Sequence, residues 1–372
     1  MQDLSGLQDF GLGWLESRGP HADVVLSTRV RLARNLQGHT FGPRLRERER
    51  EQIFERVRQA AEISTGLRGG MAVDLSELTP LSRQVLLERH LISRELAGEG
   101  TEGPPRGSGL IVSARENVGL MVNEEDHLRL QCLMSGLCLE EAFQMVDGVD
   151  EELGGELPLA YHHEFGYLTS CPTNVGTGLR ASLLIHLPGL VLTKEIGKVL
   201  QGLGQMGLTF RGLYGEGSEV VGNFFQISNQ TTLGKSEEDL IDHLRKVAMT
   251  VIEKELQARD VLMRDARSVM EDKIWRAYGL LRYARAVSFD EVMNLLSGVR
   301  LGVSMNLLAG LRVYTLNKIM IYSQAAHLEQ AAGRGLTETE SDLHRASYVR
   351  RILGTEGQVS ADQDARGRRP GA

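Results

Sequence analysis

Residues 171–182 read CPTNVGTGLRAS. A cysteine precedes a proline, small turn-formers follow, and an arginine opens a run, RASLLIHL, with the look of a buried strand. The stretch is a loop that carries a thiol and a guanidinium to one strand end. Similar apolar runs lie on both sides. ADVVLSTRVRLARNL predicts a strand around residues 24–30, and GLIVSA with NVGLMVN predicts a hairpin. EFGYLTSCP, LTFRGLYG and GNFFQISNQ each read as strands. The links between many of these strands are too short for βαβ crossovers, so the expected sheet is antiparallel.

Helical spacing appears between the strands. The charged stretch at 46–55 runs into IFERVRQAAEI, and SRQVLLERHLIS puts Val85, Leu86 and Leu87 inward. A helix is expected around 194–204, and residues 96–109 form a Gly- and Pro-rich loop. Beyond Lys235 the texture changes to one long helical signal. Ser236 and Asp239 form a capping box there, and Leu240, Leu244, Val247 and Val251 form an apolar stripe. Ser288 and Glu291 mark a second box, and residues 306–333 a third helical stretch. The expected organisation is an N-terminal extension (1–21), a sheet domain (22–255), an all-α domain (256–353) and a disordered tail (354–372).

The chain has 372 residues, 41% hydrophobic and 24% charged, which is ordinary globular composition with room for more than one core. A net charge of −7 gives no general basic field for nucleic acid. Three cysteines without a CxxC argue against a disulfide framework or structural zinc, and point to a reducing cytoplasm. No secretory leader pattern and no membrane-length apolar run is read, so no membrane association is expected.

Chemistry-bearing residues cluster around the strand ends. Arg29 and Arg31, at i and i+2, share one face of a strand. Two adjacent guanidiniums are either a polar surface or a site for an anion, and phosphate fits their planar fork. Arg129, Arg180 and Arg211 each stand at the edge of an apolar run, so five arginines could form a phosphate cage. No GxxxxGK[ST] loop and no protein-kinase motif set occurs. NEEDH (123–127) is a solvated turn or a carboxylate site. Glu216, between two glycines, is a turn or a carboxylate that backbone can bring close to a ligand. Cys171 is a small buried hydrophobe, or a thiol with thiolate character if it borders the cations. His90 is a helix-surface residue or a partner for a nucleobase. His127, His162 and His163 form no metal-ligand pattern.

STRVRLARN, NEEDHLR, CPTNVGTGLRAS and RGLYGEG…FFQISNQTTLG occur in that order across residues 22–235. Together they resemble the signature blocks of the phosphagen (guanidino) kinases. The nearest branch is the bacterial protein-arginine kinases of the McsB type. No large helical N-terminal domain precedes the blocks, Tyr214 stands where metabolite kinases carry an arginine, and a helical domain follows. The resemblance implies an α+β fold: a phosphagen-kinase-like domain, with an antiparallel β-sheet flanked by helices, followed by an all-α C-terminal domain of the dimerisation and phosphoarginine-reading type.

It also implies Mg-ATP as phosphoryl donor. ATP would be bound by Ser27, Thr28, Arg29, Val30 and Arg31, by His90 and Arg129, and by Arg180, Ala181, Ser182, Leu183 and Leu184. The family's last block adds Arg211, Gly212, Leu213, Tyr214, Gly215 and Glu216. Glu125 and Glu216 would be the paired catalytic carboxylates, and Cys171 the reactive cysteine. No protein side chain is assigned to the metal. The chain departs from the family after SN, where Gln230, Thr231 and Thr232 replace basic residues. It departs again at SDLHRA (341–346), which matches the phosphoarginine-reading motif RDxxRA at Asp342, Arg345 and Ala346 but has Ser341 for its leading arginine. That loss removes a bidentate phosphate contact of about 1.5–3 kcal/mol.

The implied activity is transfer of the γ-phosphoryl of ATP to arginine residues of proteins, in a stress or quality-control setting. Two alternatives stand beside it: a kinase of free arginine or another small guanidino compound, and a non-catalytic phosphoarginine-binding adaptor. Implied partners are proteins with accessible arginines, a small zinc-containing activator, a Clp-type chaperone or protease, and a second copy of the chain.

Overall fold

The computed structural model describes residues 12–98, 103–212 and 221–356. In chain order the elements are β1 (Val25–Arg34), α1 (Glu47–Ile63), β2 (Met71–Asp74), α2 (Pro80–Glu88), α3 (Arg94–Ala97), β3 (Gly109–Val112), β4 (Val118–Val122), β5 (Leu128–Ser135) and α4 (Leu139–Glu156). Then come β6 (Tyr161–His162), β7 (Gly166–Tyr167), β8 (Leu179–His186), α5 (Pro188–Leu192), α6 (Ile196–Gln205), β9 (Leu208–Gly212) and β10 (Phe224–Asn229). Six helices follow: α7 (Glu237–Asp265), α8 (Arg267–Tyr283), α9 (Phe289–Ser304), α10 (Val313–Tyr322), α11 (Ala325–Ala332) and α12 (Glu338–Thr355). Two compact units result. The first gathers the described residues up to 185, of 197–218 and of 225–252, and the second those of 186–196, 219–224 and 253 onward.

The first unit is built on an eight-stranded sheet in the order β2-β3-β4-β5-β1-β8-β10-β9. β1 lies in its middle, antiparallel to both β5 and β8. Its alternation decides which side carries chemistry. Even-numbered residues turn to the helical layer: Thr28 accepts from Cys138 N at 3.0 Å at the start of α4, and Arg34 meets Asp150 on α4. Odd-numbered residues, Arg29 and Arg31 among them, therefore emerge on the opposite face. α1 packs beside α4 through Ile53, Val57, Ala60 and Ala61, all buried at helical spacing.

Arg34 and Asp150 are nearly inaccessible, with side chains 2% and 7% exposed. The guanidinium donates from Nε and Nη2 to the carboxylate and from Nη1 to Thr177 O at 2.8 Å. Its carbon lies 3.4 Å from the centre of the Tyr167 ring. One buried cation thus ties β1, α4 and the loop before β8. Asp150→Ala strands that charge and is expected to cost about 3–5 kcal/mol, read from chemical denaturation.

Three expected elements differ. EFGYLTSCP forms only the two-residue strand β7, because its later backbone groups bond elsewhere. Ser170 N donates to Asp126 at 2.6 Å, Cys171 O accepts from Thr169 Oγ1 at 2.7 Å, and Pro172 has no N–H to offer a ladder. The long helical signal breaks at Ala266, whose φ of −141° and ψ of 30° separate α7 from α8. The stretch 306–333 begins with turns and splits again at Gln324, where ψ is 160°. Near the terminus α12 continues to Thr355, so residues 354 and 355 are helical and not tail. Leu12, Trp14 and Leu15 are buried, so the described part of the N-terminal extension belongs to a core.

In the second unit α9 buries Val292, Met293, Leu296 and Val299. Ser288 caps it by accepting from Glu291 N at 3.2 Å. No helix among the described residues is long and apolar enough to cross a membrane.

Candidate active site

Strand register brings the arginines together. Arg31 stands directly opposite Arg180 of β8, and Arg29 opposite Ser182. On the other side Ala33 faces Arg129 of β5, which puts Arg129 on the same sheet face. Arg29 Nη2 donates to Gln226 Oε1 at 3.4 Å, and Gln226 is the direct partner of Arg211 on β9. All five arginines thus share one face across four strands. Like charges placed directly opposite destabilise a sheet, so this arrangement is built for an anion. The field is severe enough to move the guanidiniums themselves. Burial, then Arg129 and Arg180, pull Arg29 down to about 10. Burial, then Arg29, Arg129 and Arg180, pull Arg31 well below the usual arginine range. Arg31 Nε is buried with no hydrogen-bond partner among the described residues.

Beside the cluster lies a cavity lined by Arg29, Ser27, Ser182 and Gln226 on its polar side. Trp14, His90, Leu133 and Leu184 complete it. His90 is not on a helix surface. α2 ends before it, and its φ of 61° turns it inward, with its carbonyl accepting from Gln131 at 3.0 Å. Burial, and then Arg29, push its imidazole down to about 3, so it is a neutral ring at working pH.

The side chains of Thr28, Val30, Ala181 and Leu183 turn to the helical face, by the register that pairs Val30 with Ala181 and Thr28 with Leu183. They do not line this cavity. Ser27 and Leu184, also partners, do. Gly212 ends β9 opposite Phe225. Leu213, Tyr214, Gly215 and Glu216 lie outside the described residues.

The NEEDH turn joins β4 to β5 and divides its acids by role. Glu124 pairs with Arg129 at 2.5 Å, and its side chain is 2% exposed. Glu125, next to it, is exposed. Desolvation, then the charges of Asp126 and Glu124, raise the Glu125 carboxyl above the usual range, and it hydrogen-bonds Cys171. Asp126 holds the two together. Its Oδ1 accepts from Ser170 N at 2.6 Å and from Asn35 Nδ2 at 2.6 Å, which fixes the Cys171 loop beside the turn. The other partner of the Cys171 thiol is Thr173 Oγ1 at 3.0 Å. Cys171 therefore sits between a carboxylate and a hydroxyl, and the expected guanidinium neighbour is not among its partners. The glycines that follow serve packing of the loop. A Cβ on Gly176 would lie 2.5 Å from Thr232 O, and one on Gly178 2.6 Å from Ala33 O, both at positive φ. Thr232 clamps the same loop by donating to Thr173 O and Val175 O at 2.9 and 2.7 Å.

This is phosphoryl-transfer architecture: a polycationic sheet face, an aromatic-lined cavity at one side, and a carboxylate with a raised proton affinity. Residues 52–258 match the family model described as ATP:guanido phosphotransferase, C-terminal catalytic domain. The chain belongs to that family. Residues 267–364 match a second model, the protein-arginine kinase McsB C-terminal domain. A protein-arginine kinase of Moorella thermoacetica is 46% identical over 343 residues, covering 91% of this chain and 97% of its own. One from Bacillus cereus is 44% identical over 345 residues, covering 92% and 96%. Among solved structures, the duplicated taurocyamine kinase from Schistosoma mansoni with transition-state analogue components matches at TM-score 0.58 and 25% identity, over 72% of this chain and 38% of that one. Lombricine kinase matches at TM-score 0.56 and 24% identity, over 68% and 70%, a likeness of fold. The guanido phosphotransferase assignment accounts for the antiparallel sheet, and ATP is the phosphoryl donor that the family's description names.

Sequence reading did not single out Trp14, Leu133, Gln226, Asp126 or the Glu124–Arg129 pair. Gln226 was findable as the polar residue inside FFQISN. Trp14 was findable as the aromatic centre of LGWL. In the second unit, Asp342 and Arg345 of SDLHRA meet at 2.5 Å, with Ser341 and Ala346 buried beside them. Arg345 also donates to Ser323 O and Val287 O at 2.9 and 3.0 Å, so its guanidinium is engaged in joining α12 to its neighbours.

Proposed function

We propose that this protein is a protein-arginine kinase that transfers the γ-phosphoryl of ATP to arginine side chains of other proteins. The observation that carries the reading is the register placing Arg29, Arg31, Arg129, Arg180 and Arg211 on one face, with Glu125 at the turn that follows β4. The arginines neutralise the phosphate chain and the charge that develops on it. Mg²⁺ would be held by the nucleotide phosphates and would supply screening of their charge, with no protein side chain assigned to it.

The acceptor is a guanidinium whose ordinary pKa lies above about 12, so its lone pair must be released. Glu125 orients it and takes one N–H proton while nitrogen attacks phosphorus. The N–P bond forms as the bond from phosphorus to the β,γ-bridging oxygen breaks, leaving ADP, phosphoarginine and one proton. Glu216 is the second carboxylate in this reading, and Cys171 positions Glu125 by hydrogen bonding. The chain acts in the cytoplasm, as a homodimer, on proteins with accessible arginines. A small zinc-containing activator and a Clp-type chaperone or protease are its further partners.

The test is incubation with Mg-ATP and an unfolded arginine-containing protein, followed by mass spectrometry without acid. Acid-labile phosphate on arginine residues is the expected result. Phosphorylation confined to free arginine in a parallel tube would replace the reading with a small-guanidine kinase.

A further inference from the structure

Trp14 lies outside every sequence block that carries the family resemblance. Its side chain is among the largest fully buried ones, 1% exposed, and its flanking residues Leu12 and Leu15 anchor a short 3-10 turn in the core. Its ring meets His90 edge-on, 5.5 Å between centres at 68°. Its Nε1 is buried with no hydrogen-bond partner among the described residues. Buried indole N–H groups normally have one, and an orphan marks a place where a ligand can supply it.

The cavity that Trp14 lines runs from Arg29, a member of the phosphate-binding face, to the apolar side chains of Leu133 and Leu184. A ligand with an anionic group at the Arg29 end and a flat, uncharged group at the Leu133 and Leu184 end fits this lining. The neutral imidazole of His90 suits the flat end, because it adds a ring without a charge. We propose that Trp14 is a nucleotide-specificity residue, its ring walling the base pocket and its Nε1–H donating to an acceptor nitrogen of the purine of ATP. The proposal rests on the nucleotide-binding reading above and adds a contact from a segment outside the family's signature blocks.

The chain has two tryptophans, Trp14 and Trp275, so a Trp275→Phe background leaves Trp14 as sole reporter. In it, ATP is expected to change the emission of Trp14, while inorganic tripolyphosphate binds by calorimetry without changing it. Trp14→Phe keeps a ring but removes the donor. It should weaken ATP about tenfold, the scale of one buried hydrogen bond, and leave the tripolyphosphate Kd within about twofold. Thermal melting verifies that both variants are folded. Unaltered ATP affinity in Trp14→Phe overturns the proposal. So does an equal loss for ATP and tripolyphosphate, which would assign Trp14 to packing alone. Tripolyphosphate binding with an emission silent to ATP overturns the Trp14 contact and leaves the phosphate site standing. Binding of neither ligand overturns the nucleotide reading as well.

Discussion

Glu125→Gln is expected to lower kcat by about 10²–10⁴ while ATP affinity stays within about twofold. The substitution keeps the size of the side chain and one acceptor oxygen, and removes its negative charge and its capacity to take a proton. Its neighbour cannot take over, because Glu124 is buried against Arg129 at 2.5 Å and compensates that charge. Desolvation, Asp126 and Glu124 raise the Glu125 carboxyl, which makes it a stronger base than an ordinary glutamate. The sign of the pH dependence follows. A base works as the carboxylate, so activity is full above the raised pKa and falls as pH drops through it. The acid limb of kcat should therefore lie above the usual glutamate range in the wild type, and be missing from the residual activity of the variant. Wild-type rates in Glu125→Gln, or an unmoved acid limb, would remove Glu125 as the base.

How much of this was readable beforehand depends on the range of the interaction involved. The i, i+2 spacing of Arg29 and Arg31 placed both on one face, and period-two alternation is local enough to read from a line of sequence. The same alternation sends Arg34 to the other face, where it becomes the structural partner of Asp150. That Arg31 stands opposite Arg180 is a matter of register between distant segments, which no local pattern encodes. Carrying the resemblance over in contiguous blocks swept in Thr28, Val30, Ala181 and Leu183, whose side chains alternate away from the cavity. The sequence puts Cys171 close to cations only in chain order, because Arg180 follows it. Its partners are Glu125 and Thr173, because Asp126 captures Ser170 N across 44 residues and holds the loop beside the turn. The buried aromatic of LGWL gave no periodic signal, because a single 3-10 turn is too short to show one.

Arg31→Met should produce opposite changes in activity and in stability. Activity is expected to fall by about 10²–10³ in kcat/KM, the scale of one lost donor to developing transition-state charge. The apo protein should become more stable by about 1 kcal/mol. Arg31 faces Arg180 directly, and like pairs so placed oppose folding. Its guanidinium is held well below the normal arginine range by burial and three neighbouring arginines, so its charge is paid for in the folded state. Its Nε is buried without a hydrogen bond among the described residues, and methionine leaves no such group behind. Saturating Mg-ATP should reverse the order. Ligand stabilises the folded state by RT ln(1 + [L]/Kd), and the variant, with the weaker site, gains less. Melting curves of both proteins, with and without Mg-ATP, read this crossing directly. An Arg31→Met protein that is less stable without nucleotide would show that the arginine holds the sheet together, and the case for a face strained toward its anion would fall.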